Sequence, residues 1–258
     1  MLAKRIIACL DVDSSPQGPV VVKGRKFRSL ERVGRPSELA KRYCEEGADE
    51  IVLLDVGASK EGRAALEEAV RSVAKVCFVP LTVGGGTRNL GDARRLFLAG
   101  ADKVSINTAA LKRPGLIGEI SRRYGRQAGV VAIDAVRRGR GRGEWFECMI
   151  RGGSEGTGID ALDWARRAEE LGAGEILWTS VDADGTCKGY DLKPLALLLA
   201  RVRVPVIASG GAGRLEDFWR AIMAGADAVL AAGVFHRGEI SIPRVKNYLK
   251  KKGVVMRI

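Results

Sequence analysis

Along the 258-residue chain, short runs rich in Ile, Val and Leu alternate with stretches whose apolar residues recur every three or four positions. The first kind reads as buried strands and the second as amphipathic helices. Eight runs predict strands at 5–11, 50–55, 79–83, 103–107, 130–134, 175–180, 204–209 and 228–233. Helical stretches fall between them, among them 36–47, 64–76 and 91–101. Pro36 suits a helix's first turn, and Gly47 and Gly100 suit helix ends. Near-continuous apolar strands separated by helices imply parallel pairing with both faces covered. Eight such units predict one α/β domain spanning 1–258, a (β/α)8 TIM barrel. A doubly wound open sheet is the alternative.

An internal repeat decides between the two. "GADEIVLLDV" (47–56) returns as "GAGEILWTSV" (172–181), and "VPLTVGGGTRNLGDARRLFLAGADKV" (79–104) as "VPVIASGGAGRLEDFWRAIMAGADAV" (204–229), both 125 residues on. Half the chain therefore occurs twice, giving duplicated half-barrels of about 1–125 and 126–258. Two equal halves of four units favour the barrel over the open sheet. Segments 14–28 and 137–157 break the rhythm and read as long loops, the second with a short hairpin around its "GRGRG".

In such a barrel, chemistry sits where the strands end. Asp11 ends the first predicted strand and Asp134 the fifth, its counterpart in the other half, so the two are expected to face each other across the barrel mouth. Asp55, Asn107, Thr179 and Asp182 end neighbouring strands. With one histidine, His236, and no GxSxG elbow, acid/base work falls to carboxylates. Gly85 and Gly86 follow strand three and precede a helix; Ser209, Gly210 and Gly211 do the same after strand seven. Glycines there let backbone N–H groups approach an anion. Asn107 and Thr108 after strand four, and Ala232 and Gly233 after strand eight, complete two expected cradles. Two phosphate cradles with two aspartates between them predict a long substrate phosphorylated at both ends.

Composition narrows the partners. A net charge of +12 suits an anionic ligand or a nucleic acid, but aromatics are only 5% and no paired-aromatic RNA signature occurs. The run "RRGRGRG" (137–143) reads as a solvated hairpin tip. Five cysteines, none in a CxxC pair, predict neither a zinc site nor a disulfide framework. Cys9 lies in an apolar strand. "DADGTCKGYD" (182–191) misses the calcium-loop pattern, with Lys193 where a glutamate belongs. No metal and no cofactor are expected. No apolar run is long enough to cross a membrane, and "MLAKRIIACLDVD" reads as a strand rather than a signal peptide, so a cytoplasmic protein is expected. His236 is expected at the surface or at a helix start. Arg5, Glu50, Lys103 and Glu175 each open a strand, a set of mixed charges that by itself reads as a salt-bridge cluster.

The segments "RIIACLDVD", "VVKG", "ADEIVLLD", "PLTVGGGTR", "GADKVSIN", "VVAIDA", "GAGEILWTSVDADGTCKGYD" and "PVIASGGAG" resemble the cyclase subunit of imidazole glycerol phosphate synthase, of histidine biosynthesis. The resemblance implies a lyase that uses ammonia to convert a bisphosphorylated ribulosyl formimino aminoimidazole carboxamide ribonucleotide into imidazole glycerol phosphate and the aminoimidazole carboxamide ribonucleotide. It implies Asp11 and Asp134 as the acid/base pair and Lys23, beside Gly24, as a substrate-contacting lysine. It further implies phosphate and substrate contacts at Cys9, Asp55, Gly85, Gly86, Asn107, Thr108, Thr179, Gly185, Ser209, Gly210, Gly211, Ala232 and Gly233. Arg5, Glu50, Lys103 and Glu175 are implied as an ammonia gate, with a separate glutaminase subunit docked on the N-terminal barrel face and neither nucleic acid nor membrane as partner. The stretch between Asp11 and Lys23 is about four residues longer than the family's pattern, and Gly233 stands where the family favours serine. The sibling isomerase of the pathway, which lacks stretches like "KVSIN" and "DADGT", is the closest alternative.

Overall fold

A computed structural model describes residues 2–15, 18–25, 28–56 and 62–257. Its strands are β1 (Arg5–Ser15), β2 (Gly18–Arg25), β3 (Arg28–Gly34), β4 (Glu50–Asp55), β5 (Leu81–Gly84), β6 (Lys103–Ile106), β7 (Gly129–Arg138), β8 (Trp145–Ile150), β9 (Glu155–Asp160), β10 (Glu175–Ser180), β11 (Val206–Ser209) and β12 (Ala228–Ala231). The strand order β10-β11-β12-β1-β4-β5-β6-β7, in which β7 also pairs with β10, is the cyclic order of a (β/α)8 barrel. The described chain falls into two compact units, Met1–Ser105 with Leu230–Ile258, and Ile106–Val229; the boundaries cut through β6 and β12.

In the first unit β1, β4 and β5 pair in parallel, with Cys9 opposite Val52 and Val52 opposite Thr82. Ile6, Ile7, Leu10, Ile51, Leu53 and Val83 are fully buried on these strands, which is why the apolar runs are continuous rather than alternating. The helix Pro36–Glu45 starts on a proline and buries Pro36, Leu39, Ala40 and Tyr43, one stripe at helical spacing. The helix Leu90–Ala99 begins where the Asn89 side chain accepts from Asp92 N at 2.9 Å and stops at left-handed Gly100.

The 14–28 segment is a correction. It was expected as a loop, but β1 runs on to Ser15 and β2 and β3 fold back antiparallel, with Val12 opposite Val21 and Lys23 opposite Glu31. The valines of "VVVK" pair as strand, Val20 and Val21 with β1 and Val22 with β3.

In the second unit β7, β10 and β11 pair in parallel, Asp134 lying opposite Thr179 and Thr179 opposite Ser209. The 137–157 segment was expected as a long loop with a short hairpin around its "GRGRG". The hairpin is there, β7 extending to Arg138 and β8 returning antiparallel with Arg137 opposite Phe146, but most of the segment is strand, β8 pairing on into β9. Both prolines that were expected inside strands stand before them. Pro80 and Pro205 have no N–H to give a ladder, yet their carbonyls accept from Ile51 N and Ile176 N at 3.0 Å each, so the strands start at Leu81 and Val206.

Candidate active site

Asp11 ends the apolar part of β1 and is almost fully buried, at 3% exposure. A carboxylate in that position needs a cation or donors. The β2 strand supplies one: Lys23 Nζ lies 2.8 Å from Asp11 Oδ2, and the Cys9 thiol donates to Asp11 Oδ1 at 3.5 Å. Antiparallel pairing of β2 with β1 brings Lys23 to Asp11, with Gly24 following on the same strand.

Beside this pair lies His236, expected at the surface or at a helix start and found at the end of the short helix Gly233–His236, half-buried. His236 Nδ1 is 2.6 Å from Tyr43 Oη, the two rings stack at 5.9 Å, and Arg42 Nη2 donates to the tyrosine oxygen at 2.7 Å. Burial pushes His236 down to about 4, against the pull of the Asp11 charge, so the ring is neutral at physiological pH. Burial likewise pushes Tyr43 up to about 12. The histidine's Nε2 is buried with no partner among the described residues.

After β5 the chain turns through Gly85 (φ +102°) and Gly86 (φ +66°). A Cβ on Gly85 would stand 2.5 Å from Asp55 Cβ and 2.9 Å from Asp55 O, so only glycine fits against the end of β4. Asp92 fixes the far side by accepting from Arg88 N at 2.9 Å. The Thr87 hydroxyl is buried there without a partner among the described residues, an open donor that the sequence reading passed over. Past β12, Ala232 leads into a short helix opened by Gly233. A Cβ on Gly233 would lie 2.7 Å from Arg237 Nη1, so a guanidinium occupies the neighbourhood where the family favours a hydroxyl. Arg237 was also not among the expected residues.

In the second unit Asp134 ends the apolar run of β7. Asn107 Nδ2 donates to Asp134 Oδ2 at 2.9 Å and to Met149 O at 3.3 Å. Burial pushes Asp134 up to about 6, the Asp184 charge adds to this, and hydrogen bonds from Asn107 and Thr179 oppose it. Asn107 Oδ1 is buried and has no partner among the described residues. Thr108 Oγ1 accepts from Arg151 N at 3.4 Å.

The turn after β11 repeats the one after β5. Gly210 (φ +90°) and Gly211 (φ +106°) follow Ser209, and a Cβ on Gly210 would lie 2.7 Å from Ser180 O. On Gly211 it would collide with the Gly189 carbonyl. Asp217 Oδ2 accepts from Gly213 N at 2.9 Å and Arg214 N at 2.7 Å. Left-handed glycines in sequence turn their N–H groups to one side, the geometry that cups an anion. Gly185 (φ +70°) lies in the turn after β10, where Asp182 Oδ2 accepts from Arg137 N at 2.8 Å.

Of the strand-opening charges, Arg5, Glu50 and Lys103 come together in the first unit. Glu50, at 1% exposure, takes Arg5 Nη1 at 3.0 Å and Lys103 Nζ at 2.9 Å on one oxygen, while Thr82 Oγ1 donates to the other. Glu175 opens β10 in the other unit and is also buried. In the hairpin tip, Arg137 is held by Glu144 at 3.0 Å and Asp191 at 2.8 Å, and Arg138 by Glu147 at 2.6 Å. These arginines are engaged within the protein rather than offered to a polyanion.

Comparison with known proteins agrees with this geometry. The family model of histidine biosynthesis proteins matches residues 5–241. The chain is 54% identical over 257 residues to imidazole glycerol phosphate synthase subunit HisF of Pyrobaculum aerophilum, covering 100% of this chain and 99% of that one. It is equally 54% identical to the same subunit of Dictyoglomus turgidum over 258 residues, all of both chains. The Streptomyces avermitilis subunit is 54% identical over 252 residues, 98% of each. The chain therefore belongs to the histidine biosynthesis protein family, among the cyclase subunits of imidazole glycerol phosphate synthase.

Proposed function

We propose that the chain is an ammonia-dependent cyclase and lyase of histidine biosynthesis, acting on a bisphosphorylated ribulosyl formimino aminoimidazole carboxamide ribonucleotide. The products are imidazole glycerol phosphate and the aminoimidazole carboxamide ribonucleotide. The observation that carries this reading is a glycine turn of the same left-handed form in each unit, with a strand-end aspartate in each. The turns at Gly85–Gly86 and Gly210–Gly211 present amides suited to a phosphate, and the net charge of +12 favours capture of a bisanion.

The ribulosyl part of this substrate carries a ketone. Condensing ammonia with it expels the carbonyl oxygen as water, which needs a proton donor, and strips protons from nitrogen, which needs an acceptor. Asp134, raised to about 6, is suited to donate near neutral pH, and Asp11, ion-paired with Lys23, is suited to accept. Lys23 and the unpartnered Thr87 hydroxyl and Asn107 carbonyl oxygen are groups a bound substrate can engage. Breaking the formimino C–N bond and closing the imidazole ring then separate the two products.

The relatives are named as subunits, so the chain has a partner in a synthase. A glutaminase docked at the strand-opening end, delivering ammonia past Arg5, Glu50, Lys103 and Glu175, fits the buried charge cluster on Glu50. Among the described residues no helix is long and apolar enough to cross a membrane, and the cytoplasm is the proposed compartment. The test is direct: the purified chain, given ammonium salts at alkaline pH and the bisphosphorylated substrate, forms both products. If the substrate is isomerised but never cleaved, or remains unchanged, the reading fails.

A further inference from the structure

We propose that Cys44 and Cys77 form a redox-active dithiol that closes to an intramolecular disulfide on reaction with a small dialkyl disulfide such as oxidised glutathione. Cys44 lies in the last turn of the helix Pro36–Glu45, and Cys77 lies just past the end of the helix Gly62–Ala74. Packing of these two helices brings their ends together across 33 residues of sequence, with the sulfur atoms 3.4 Å apart. Both thiols are free and half-buried, open enough for a small reagent, whereas Cys9 and Cys148 are buried. A disulfide is about 2.05 Å long, so closure asks the sulfurs to approach by little more than ~1 Å, within reach of side-chain rotation at two helix ends. The spacing of the five cysteines argues against a disulfide framework, and all five are free thiols here, yet the fold brings this one pair together.

The two thiols are unlike, which sets the order of events. With both thiols protonated, Cys44 Sγ donates to Cys77 Sγ and Cys77 Sγ to Val79 O, each at 3.4 Å. Once Cys44 ionises, the Cys77 contact and the backbone at Phe78 and Val79 stabilise its thiolate, holding Cys44 down to about 7. The same bond and burial push Cys77 up. Cys44 thiolate therefore attacks one sulfur of the dialkyl disulfide, forming a mixed disulfide and expelling one alkyl thiolate. Capping removes the negative charge that held the Cys77 proton. Cys77 then loses that proton to solvent, and its thiolate attacks Cys44 Sγ and expels the second alkyl thiolate. Two protein thiols are oxidised and one external disulfide is reduced to two thiols. The resulting bond ties the end of the first helix to the approach to β5, whose far end carries the Gly85–Gly86 turn.

The test uses the full chain, equilibrated in glutathione buffers from reducing to oxidising, quenched with an alkylating agent and read by intact mass and peptide mapping. The expected result is a form lacking two hydrogens, with the peptides containing Cys44 and Cys77 cross-linked and the other three cysteines alkylated. In Cys77→Ser one glutathione stays on Cys44, because nothing resolves it. The oxidised wild type melts roughly 5–15 °C above the reduced form, and this gap vanishes in both Cys44→Ser and Cys77→Ser. Five alkylated thiols at every buffer ratio would overturn the proposal. So would a wild-type mixed disulfide that never resolves, or a bond joining any other pair.

Discussion

The two repeated halves keep the same supports and differ in the setting of their carboxylates. Asp102 and Asp227, 125 residues apart, each brace the strand that precedes them, accepting from Leu81 N at 2.8 Å and Val206 N at 3.1 Å. Asp92 and Asp217 each pin the glycine turn before their helix. Gly85 and Gly210 both press on the end of the neighbouring strand, where a side chain would collide. Asp11 and Asp134 do not match in this way. One is clamped by the Lys23 ammonium of a hairpin; the other takes, among the described residues, the neutral donors Asn107 and Thr179, near the repelling charge of Asp184. Backbone supports repeat because both halves must make the same turns. The side chains around the carboxylates diverge because one reaction needs both a donor and an acceptor.

The largest expected effect breaks the shared part of this comparison. Gly210→Ala drives a methyl into the Ser180 carbonyl at a positive φ, and Gly85→Ala meets both the side chain and backbone of Asp55. Each should lower stability by about 1–3 kcal/mol and weaken substrate binding by an order of magnitude or more. Chemical denaturation and KM check this; a neutral outcome at both sites would show that the turns are not sterically fixed.

Asp134→Asn sharpens the difference instead. The folded state raises Asp134 to about 6 from an ordinary 3.8, so the native protein holds this proton more tightly than the unfolded chain. That stabilisation is present at low pH and fades as pH rises through about 6. The asparagine variant should therefore melt above the wild type at pH 7–8, by up to about 2 kcal/mol, and the advantage should close below about pH 4. Thermal melts across that range decide it, and a pH-independent difference would contradict the assigned cause.

Between the strand ends and the strand starts, Glu175→Ala should divide two activities. Glutamine-driven turnover with the partner should fall about tenfold, or ~1.4 kcal/mol, while turnover on added ammonium changes little. Equal loss of both would place Glu175 in the chemistry rather than the gate. The smallest effects concern the braces. Asp102→Ala and Asp227→Ala should each cost about 1–2 kcal/mol, since each frees a backbone N–H from a charged acceptor. Similar values from the two would confirm equivalent supports, and denaturant midpoints measure them.

Much of this was legible in the chain because it depends on local pattern. The predicted strands at 50–55 and 175–180 match β4 and β10, whose fully apolar runs have clear polar ends. The repeat exposed both glycine turns. What escaped depends on contacts distant in sequence. Lys23 was singled out only by resemblance, as a substrate-contacting lysine, and its ion pair with Asp11 was not foreseen, since residues 14–28 looked like loop and the hairpin emerges only on pairing with β1. His236 looked like a surface or helix-start histidine, and its packing on Tyr43, 193 residues away, leaves no local pattern in the sequence. Thr87 could have been found from its place directly after the glycines, at the start of a helix. The Cys44–Cys77 approach needed the packing of two helices.

The central claim is that Asp11 and Asp134 together perform the acid/base work. It is tested most directly by measuring ammonia-dependent turnover of Asp11→Asn and Asp134→Asn beside the wild type, with circular dichroism to confirm folding. The account predicts folded variants that each lose at least ~100-fold in turnover. Wild-type turnover in either folded variant would contradict it.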